Sequence, residues 1–448
     1  MTDALDSASM RDAALRISRE IVTGAVWQGE RCNWVGAMPE EAPGGRTTLT
    51  YRALGPDLYG GSAGVGLFLA EVARATGDPD SRRTSLGALR HAVSRVDDIA
   101  PFSRLGLYAG RPGVALALAL AARALDEPER DAGARALASG AAGAHDPSDE
   151  HDLMSGRAGA VVGLLALRAL LDEAALLDAA ADHGDALLDA AHRTDAGLCW
   201  RSPSLPGARG LTGYSHGAAG VAVALLELAA ATEQQRYRDG AQAAFAYERA
   251  LYDPAARNWP DLRSSAERHA RPGSSFATFW CHGAPGGALA RLRALELGGD
   301  DRLRAEATAA LSTTQAWVTG ALASSAVNYS LCHGLAGNAE ILLECASLLP
   351  GSASELVRRV AVAGIDTYPA RGLPWPSGAH GGATPCLFLG LAGIGWFYLR
   401  LAQPELASLL LVRPVHAHAT AQVDGRGGVP SPAGGAGGAP GAGGTPGG

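Results

Sequence analysis

A chain of 448 residues, 47% hydrophobic and 19% charged, has apolar material for one large closed domain or for two to three average ones. Its 45 acidic side chains exceed its 38 basic ones, and no basic cluster stands out, which argues against a nucleic-acid partner. No apolar run is long enough to span a bilayer, and the first residues lack the basic-then-apolar pattern of a signal peptide, so a cytoplasmic protein without stable membrane insertion is expected.

In chain order, residues 1–50 hold an apolar-periodic segment over 13–26, then Trp27, Cys32 and Trp34, and read as an N-terminal helical extension packed on an outer layer. Residues 51–412 are organised by an internal repeat. Seven Gly-x-x-Gly turns have their first glycines at Gly61, Gly110, Gly156, Gly217, Gly283, Gly334 and Gly390. Each runs into about three helical turns that are apolar almost all round, such as VALALALAARAL after Gly113 and VAVALLELAAAT after Gly220. A helix apolar on every side must be buried on every side. Stretches between the turns, 128–138, 174–191 and 301–318 among them, mix Asp, Glu and Arg into an apolar pattern at helical spacing and read as one-sided. Buried inner helices alternating with half-exposed outer ones predict an all-α fold, an (α/α) toroid of seven helical hairpins with the glycine turns gathered at one end. Residues 413–448, almost wholly Gly, Pro, Ala and Ser from about Asp424, read as a flexible tail without chemistry.

Two of the seven turns carry a Cys-His-Gly box: Trp280-Cys281-His282-Gly283 and Leu331-Cys332-His333-Gly334. Two thiolates and one imidazole are a soft donor set that suits Zn²⁺ with a fourth position open, so Cys281, Cys332 and His333 are the expected ligands of one zinc ion per chain. On local grounds either His282 or His333 could ligate. Cys32, Cys199, Cys345 and Cys386 lack the box and are expected to be inert core thiols. Just before two other inner helices stand His216 and Asp152, expected to form an acid/base pair in which the carboxylate orients the imidazole. His282 completes the catalytic candidates.

These boxes resemble the lanthionine synthetase C-like family, whose members close thioether rings in ribosomal peptides, and the wording is nearest to the cyclase domain of the bifunctional lanthionine synthetases. The resemblance implies an (α/α) toroid, zinc on Cys281, Cys332 and His333, an active-site histidine at His216 and an aspartate beside it at Asp152. It implies a Cys thiolate adding to dehydroalanine or dehydrobutyrine in a dehydrated precursor peptide. A separate dehydratase partner is expected, because no room for that activity precedes Leu58. Two alternatives stay open: addition of glutathione or another free thiol, as in eukaryotic relatives, and a non-catalytic peptide-binding scaffold. Two departures stand out. Simple cyclases tend to carry an arginine where this chain has Ala277, the nearest upstream arginine in sequence beyond it being Arg271, and His282 stands where they often have tyrosine.

Overall fold

The computed structural model describes residues 7–42, 46–143, 146–204, 209–263, 276–324, 327–349, 353–379 and 381–416. Arg271 and the expected tail beyond His416 lie outside the described residues. Seven inner helices follow the seven glycine turns: α2 (Ser62–Thr76), α4 (Arg111–Leu125), α6 (Arg157–Leu171), α8 (Ala218–Thr232), α10 (Ala284–Glu296), α12 (Leu335–Glu344) and α14 (Leu391–Ala402). Each of the first six packs on the outer helix that follows it: α3 (Pro79–Ser94), α5 (Asp131–Ala142), α7 (Leu176–Asp189), α9 (Gln235–Ala250), α11 (Asp301–Leu322) and α13 (Ala353–Thr367). Each inner helix also touches the next, and α14 touches α2, so the ring closes. The fold is the expected (α/α) toroid.

The seventh inner helix takes its outer partner from the other end of the chain. Helix α1 (Ser7–Thr23) packs on α14 through Met10, Ala13, Ala14, Ile17 and Ile21, all buried. The segment expected to be an extension is therefore a member of the ring. After it come two small antiparallel hairpins, β1 (Val26–Gln28) with β2 (Arg31–Asn33) and β3 (Val35–Ala42) with β4 (Arg46–Ala53). A third hairpin joins β5 (His192–Thr194) to β6 (Gly197–Cys199). None of the three was foreseen, and each decorates the helical scaffold. Trp34 docks its hairpin by donating from Nε1 to the carbonyl of Ile21 at 2.8 Å, which satisfies the indole as it is buried. Among the described residues no helix is long and apolar enough to cross a membrane.

Two outer helices, α3 and α11, begin on side-chain caps, where Asp78 accepts from the Ser81 N–H and Asp300 from the Leu303 N–H. Inner helices have glycine at that position and no side-chain cap. Their first N–H instead donates to a carbonyl seven residues back: Ser62 to Gly55, Arg111 to Arg104, Arg157 to Glu150, Ala218 to Leu211, Leu335 to Asn328 and Leu391 to Thr384. So tight a turn leaves no space for a side chain. A Cβ on Gly337 would lie 1.8 Å from the Leu331 carbonyl oxygen. The fifth turn departs from this form: Gly283 adopts φ of 87°, and the corresponding carbonyl, that of Ala277, accepts from Asn258 Nδ2 at 2.9 Å.

The turns are joined to one another by a closed circuit of backbone hydrogen bonds. Tyr59 donates to Tyr108, Ala109 to Met154, Met154 to Ser215, Ser215 to Cys281, Trp280 to Cys332, Cys332 to Phe388 and Phe388 back to Tyr59. Behind this circuit the lumen is filled by aromatic rings, with Trp280 4.9 Å from Tyr108 and 4.8 Å from Phe388 between ring centres. The chain after α14 reaches these rings: the Leu410 carbonyl accepts from Trp280 Nε1 at 2.9 Å and the Leu409 carbonyl from the Tyr108 hydroxyl at 3.1 Å.

Buried charge is paired between inner helices. Arg293 on α10 donates from Nη2 to Glu227 on α8 at 3.0 Å and binds its other oxygen through Nε at 2.5 Å. Arg293→Met removes one partner and strands a carboxylate, and it is expected to cost about 3–5 kcal/mol, read as a lower urea midpoint.

Candidate metal centre and active site

The circuit of turns decides which side chains meet. Two residues before each first glycine stand Tyr59, Tyr108, Met154, Ser215, Cys281, Cys332 and Phe388, the residues that carry most of the circuit. Cys281 and Cys332, 51 residues apart in sequence, are thereby neighbours, and their sulfurs are 3.6 Å apart. Zinc–sulfur bonds of about 2.3 Å at a tetrahedral angle would separate two sulfurs by about 3.8 Å, so this spacing fits a shared metal. Both cysteines are buried. The hydrogen bond from Cys332 lowers the Cys281 thiol despite burial, with the charges of Arg263 and His216 acting the same way. That bond and burial raise Cys332 well above an ordinary thiol.

His333 follows Cys332, and its Nε2 lies 3.1 Å from the Gly378 carbonyl. Ligating histidines commonly bond a backbone carbonyl through the nitrogen that does not bind metal, so coordination by this ring would use Nδ1. The three groups do not close a donor set as they stand. Among the described residues no group of three or more His, Cys, Asp or Glu side chains is arranged to hold a metal ion. Two sulfurs at a fitting distance and an imidazole in the adjoining position are what the structure offers. The other four cysteines are also buried; the Cys386 thiol is pushed up to about 11, chiefly by burial.

One residue before the glycines of the fourth, fifth and sixth turns stand His216, His282 and His333. His216 Nδ1 is 2.7 Å from Asp152 Oδ2, joining the third and fourth turns. Asp152 serves two purposes, because its Oδ1 also accepts the Ser155 N–H at 2.7 Å and shapes its own turn. Burial alone would lower the His216 pKa, but the Asp152 charge and hydrogen bond outweigh it and hold the ring above the ordinary histidine value. His282 lies face to face with His216, ring centres 5.5 Å apart and planes 14° from parallel. Its Nδ1 is 3.2 Å from the Thr212 carbonyl, while Nε2 is buried without a hydrogen-bond partner in the structure. Burial and then the charge of Arg263 push this ring well below the usual value, so it is neutral.

Sequence reasoning missed three residues here. Tyr59 belongs to the first turn and stacks on Phe388 at 4.8 Å. Its hydroxyl is raised well above an ordinary phenol by burial, by both sulfurs and by a hydrogen bond to Cys332. Its register was the available signal, since it stands before Gly61 as the two cysteines stand before their glycines. Asp261 and Arg263 had no such signal, because they lie in the irregular segment between α9 and α10. Asp261 Oδ2 accepts from Arg263 Nη2 at 2.7 Å, and its Oδ1 is 4.0 Å from His282 Nδ1.

Comparison with known proteins agrees with this architecture. Among solved structures the chain is similar to nisin cyclase, with a TM-score of 0.60 and 17% identity over 78% of this chain and 89% of that one. Such a likeness carries the fold. Lower scores are found with a sugar epimerase from a ruminal bacterium (TM-score 0.46, 11% identity, 90% of this chain and 100% of that one). The unsaturated glucuronyl hydrolase of Bacillus sp. GL1 follows (0.41, 13%, 91% and 99%). The family model described as Lanthionine synthetase C-like protein matches residues 52–412, the whole span of the glycine turns, and the chain belongs to that family.

Proposed function

We propose that this protein is a zinc-dependent peptide cyclase that adds cysteine thiols to dehydroalanine or dehydrobutyrine and so forms lanthionine or methyllanthionine rings. The observation that carries the reading is the meeting of two sulfurs, 3.6 Å apart, with a His216–Asp152 dyad across one ring of turns. Zinc held by Cys281, Cys332 and His333 would supply the positive charge that makes a substrate thiol a thiolate at neutral pH.

The chain's own residues account for the rest. Addition forms a sulfur–Cβ bond while the Cα=Cβ electron pair moves onto the acceptor carbonyl, and a proton then reaches Cα. Asp152 keeps the His216 imidazole charged and oriented, which suits it to deliver that proton, and the thiol's proton makes good the loss. Nothing leaves the peptide, so its mass does not change. The substrate class is a peptide that a dehydratase has already acted upon.

The test mixes zinc-loaded protein with a dehydrated cysteine-containing peptide and then alkylates the remaining thiols. Ring closure is expected to leave the mass unchanged and the cysteines resistant to the reagent. A mass gain before alkylation when glutathione is present would instead assign addition of a free thiol, and an unchanged mass before alkylation followed by full alkylation of the cysteines would leave a peptide-binding scaffold.

A further inference from the structure

Addition of a thiolate to an unsaturated peptide puts negative charge on the acceptor carbonyl oxygen until Cα is protonated. In a water-poor site such charge is stabilised by a cation or donor already fixed in place. His216 is committed to Asp152 and its proton is spent on carbon, so a second, permanent charge is required.

Residues 253–263, between α9 and the fifth turn, supply one and are tied down at several points. Trp259 Nε1 donates to the Glu248 carbonyl of α9 at 3.0 Å, and Asp253 and Asn258 exchange backbone hydrogen bonds. Thr212 of the fourth turn donates to the Pro260 carbonyl at 2.7 Å. Asn258 Nδ2 donates to the Ala277 carbonyl at 2.9 Å, fastening the segment to the strand of chain that leads into Cys281. From this support Asp261 holds Arg263 by three bonds, accepting its backbone N–H at 3.2 Å, Nε at 3.0 Å and Nη2 at 2.7 Å. A planar guanidinium gripped on one edge by a carboxylate has its orientation set, and the third nitrogen, Nη1, is not used by Asp261. The carboxylate itself is 4.0 Å from His282, the ring that stacks on His216 and follows Cys281.

We infer that Arg263, positioned by Asp261, is the fixed positive charge that stabilises the anion formed on the peptide acceptor during ring closure. The inference rests on the cyclase reading above. The carboxyl of Asp261, which burial would raise, is held at about 2 by the Arg263 hydrogen bond and nearby positive charge, so the pair stays ionised across the working range. Asp261 acts through the guanidinium and is a positioning residue.

The experiment compares zinc-loaded wild type with Arg263→Gln, Arg263→Lys, Asp261→Asn and the Asp261→Asn, Arg263→Gln double variant. Zinc content is measured first, then kcat on a dehydrated peptide. In parallel, Kd is measured by fluorescence anisotropy for the same peptide with its cysteines replaced by serine. Arg263→Gln is expected to lower kcat by about 10²-fold with zinc and Kd unchanged, and Arg263→Lys to recover part of the loss. The double variant should be no slower than Arg263→Gln alone, since the carboxylate has nothing left to hold. An Arg263→Gln variant with wild-type kcat overturns the inference, as does a Kd that weakens in step with kcat. A wild-type protein that binds the serine peptide but closes no ring overturns the cyclase reading itself, a distinct result.

Discussion

On the proposed zinc-cyclase reading, Cys281→Ala is expected to empty the metal site and abolish ring closure, with kcat/KM falling by about 10³-fold or more, at least about 4 kcal/mol of transition-state stabilisation. The two sulfurs would act as a unit: at 3.6 Å apart their spacing fits one shared zinc ion, which a single sulfur would not hold in the same way. Zinc per chain, read by elemental analysis after dialysis, should drop in parallel with the rate, and Cys332→Ala should match it. Cys386→Ala is the control, because that thiol is buried and stands outside the register of the box cysteines. Full zinc content and full rate in Cys281→Ala would remove the proposed centre.

His216→Ala should retain zinc and lose about 10²–10⁴-fold in kcat, the usual worth of a positioned acid or base. The pH profile identifies which. Facing this ring are Asp152 by hydrogen bond, His282 by stacking, and the Cys281 and Arg263 charges. Their balance raises its pKa, so as an acid it is active below that raised value, and the rate falls as pH rises through it. Asp152→Asn removes the largest raising influence and leaves burial, which lowers the pKa; the alkaline limb should move to lower pH and the neutral-pH rate should drop. The same sign governs stability. The charged pair contributes fully below the unfolded histidine value of about 6.5 and its contribution fades as pH rises through the folded value. An alkaline limb that stays in place in Asp152→Asn would show that His216 is not the acid.

The toroid was legible because its signal is repeated. One Gly-x-x-Gly turn means little, but seven, each ahead of a helix apolar all round, leave few ways to bury those helices. Cys281, Cys332 and His216 were legible for the same reason: they occupy fixed places relative to Gly283, Gly334 and Gly217. Tyr59 occupies such a place too and was passed over, since a tyrosine beside a glycine turn looks like packing. Asp261 and Arg263 lie in irregular chain, where no period relates them to the site. The segment that carries Arg263 is bonded to the Ala277 carbonyl itself. The partner of α1 was hidden differently. Its apolar face was visible, but pairing the first helix with the last leaves no local mark in sequence.

That pairing bears on how the chain acquires its shape. While the protein is being made, the apolar flank of α1 emerges before every glycine turn and α14 only after the seventh, so each waits for the other across the whole run of turns. Contacts between such distant segments are slow to form. The circle is thus a clasp that fastens only once α14 has been made. A nascent chain cut short of α14, or a recombinant one begun after α1, would carry a sticky seam in place of a seventh joint.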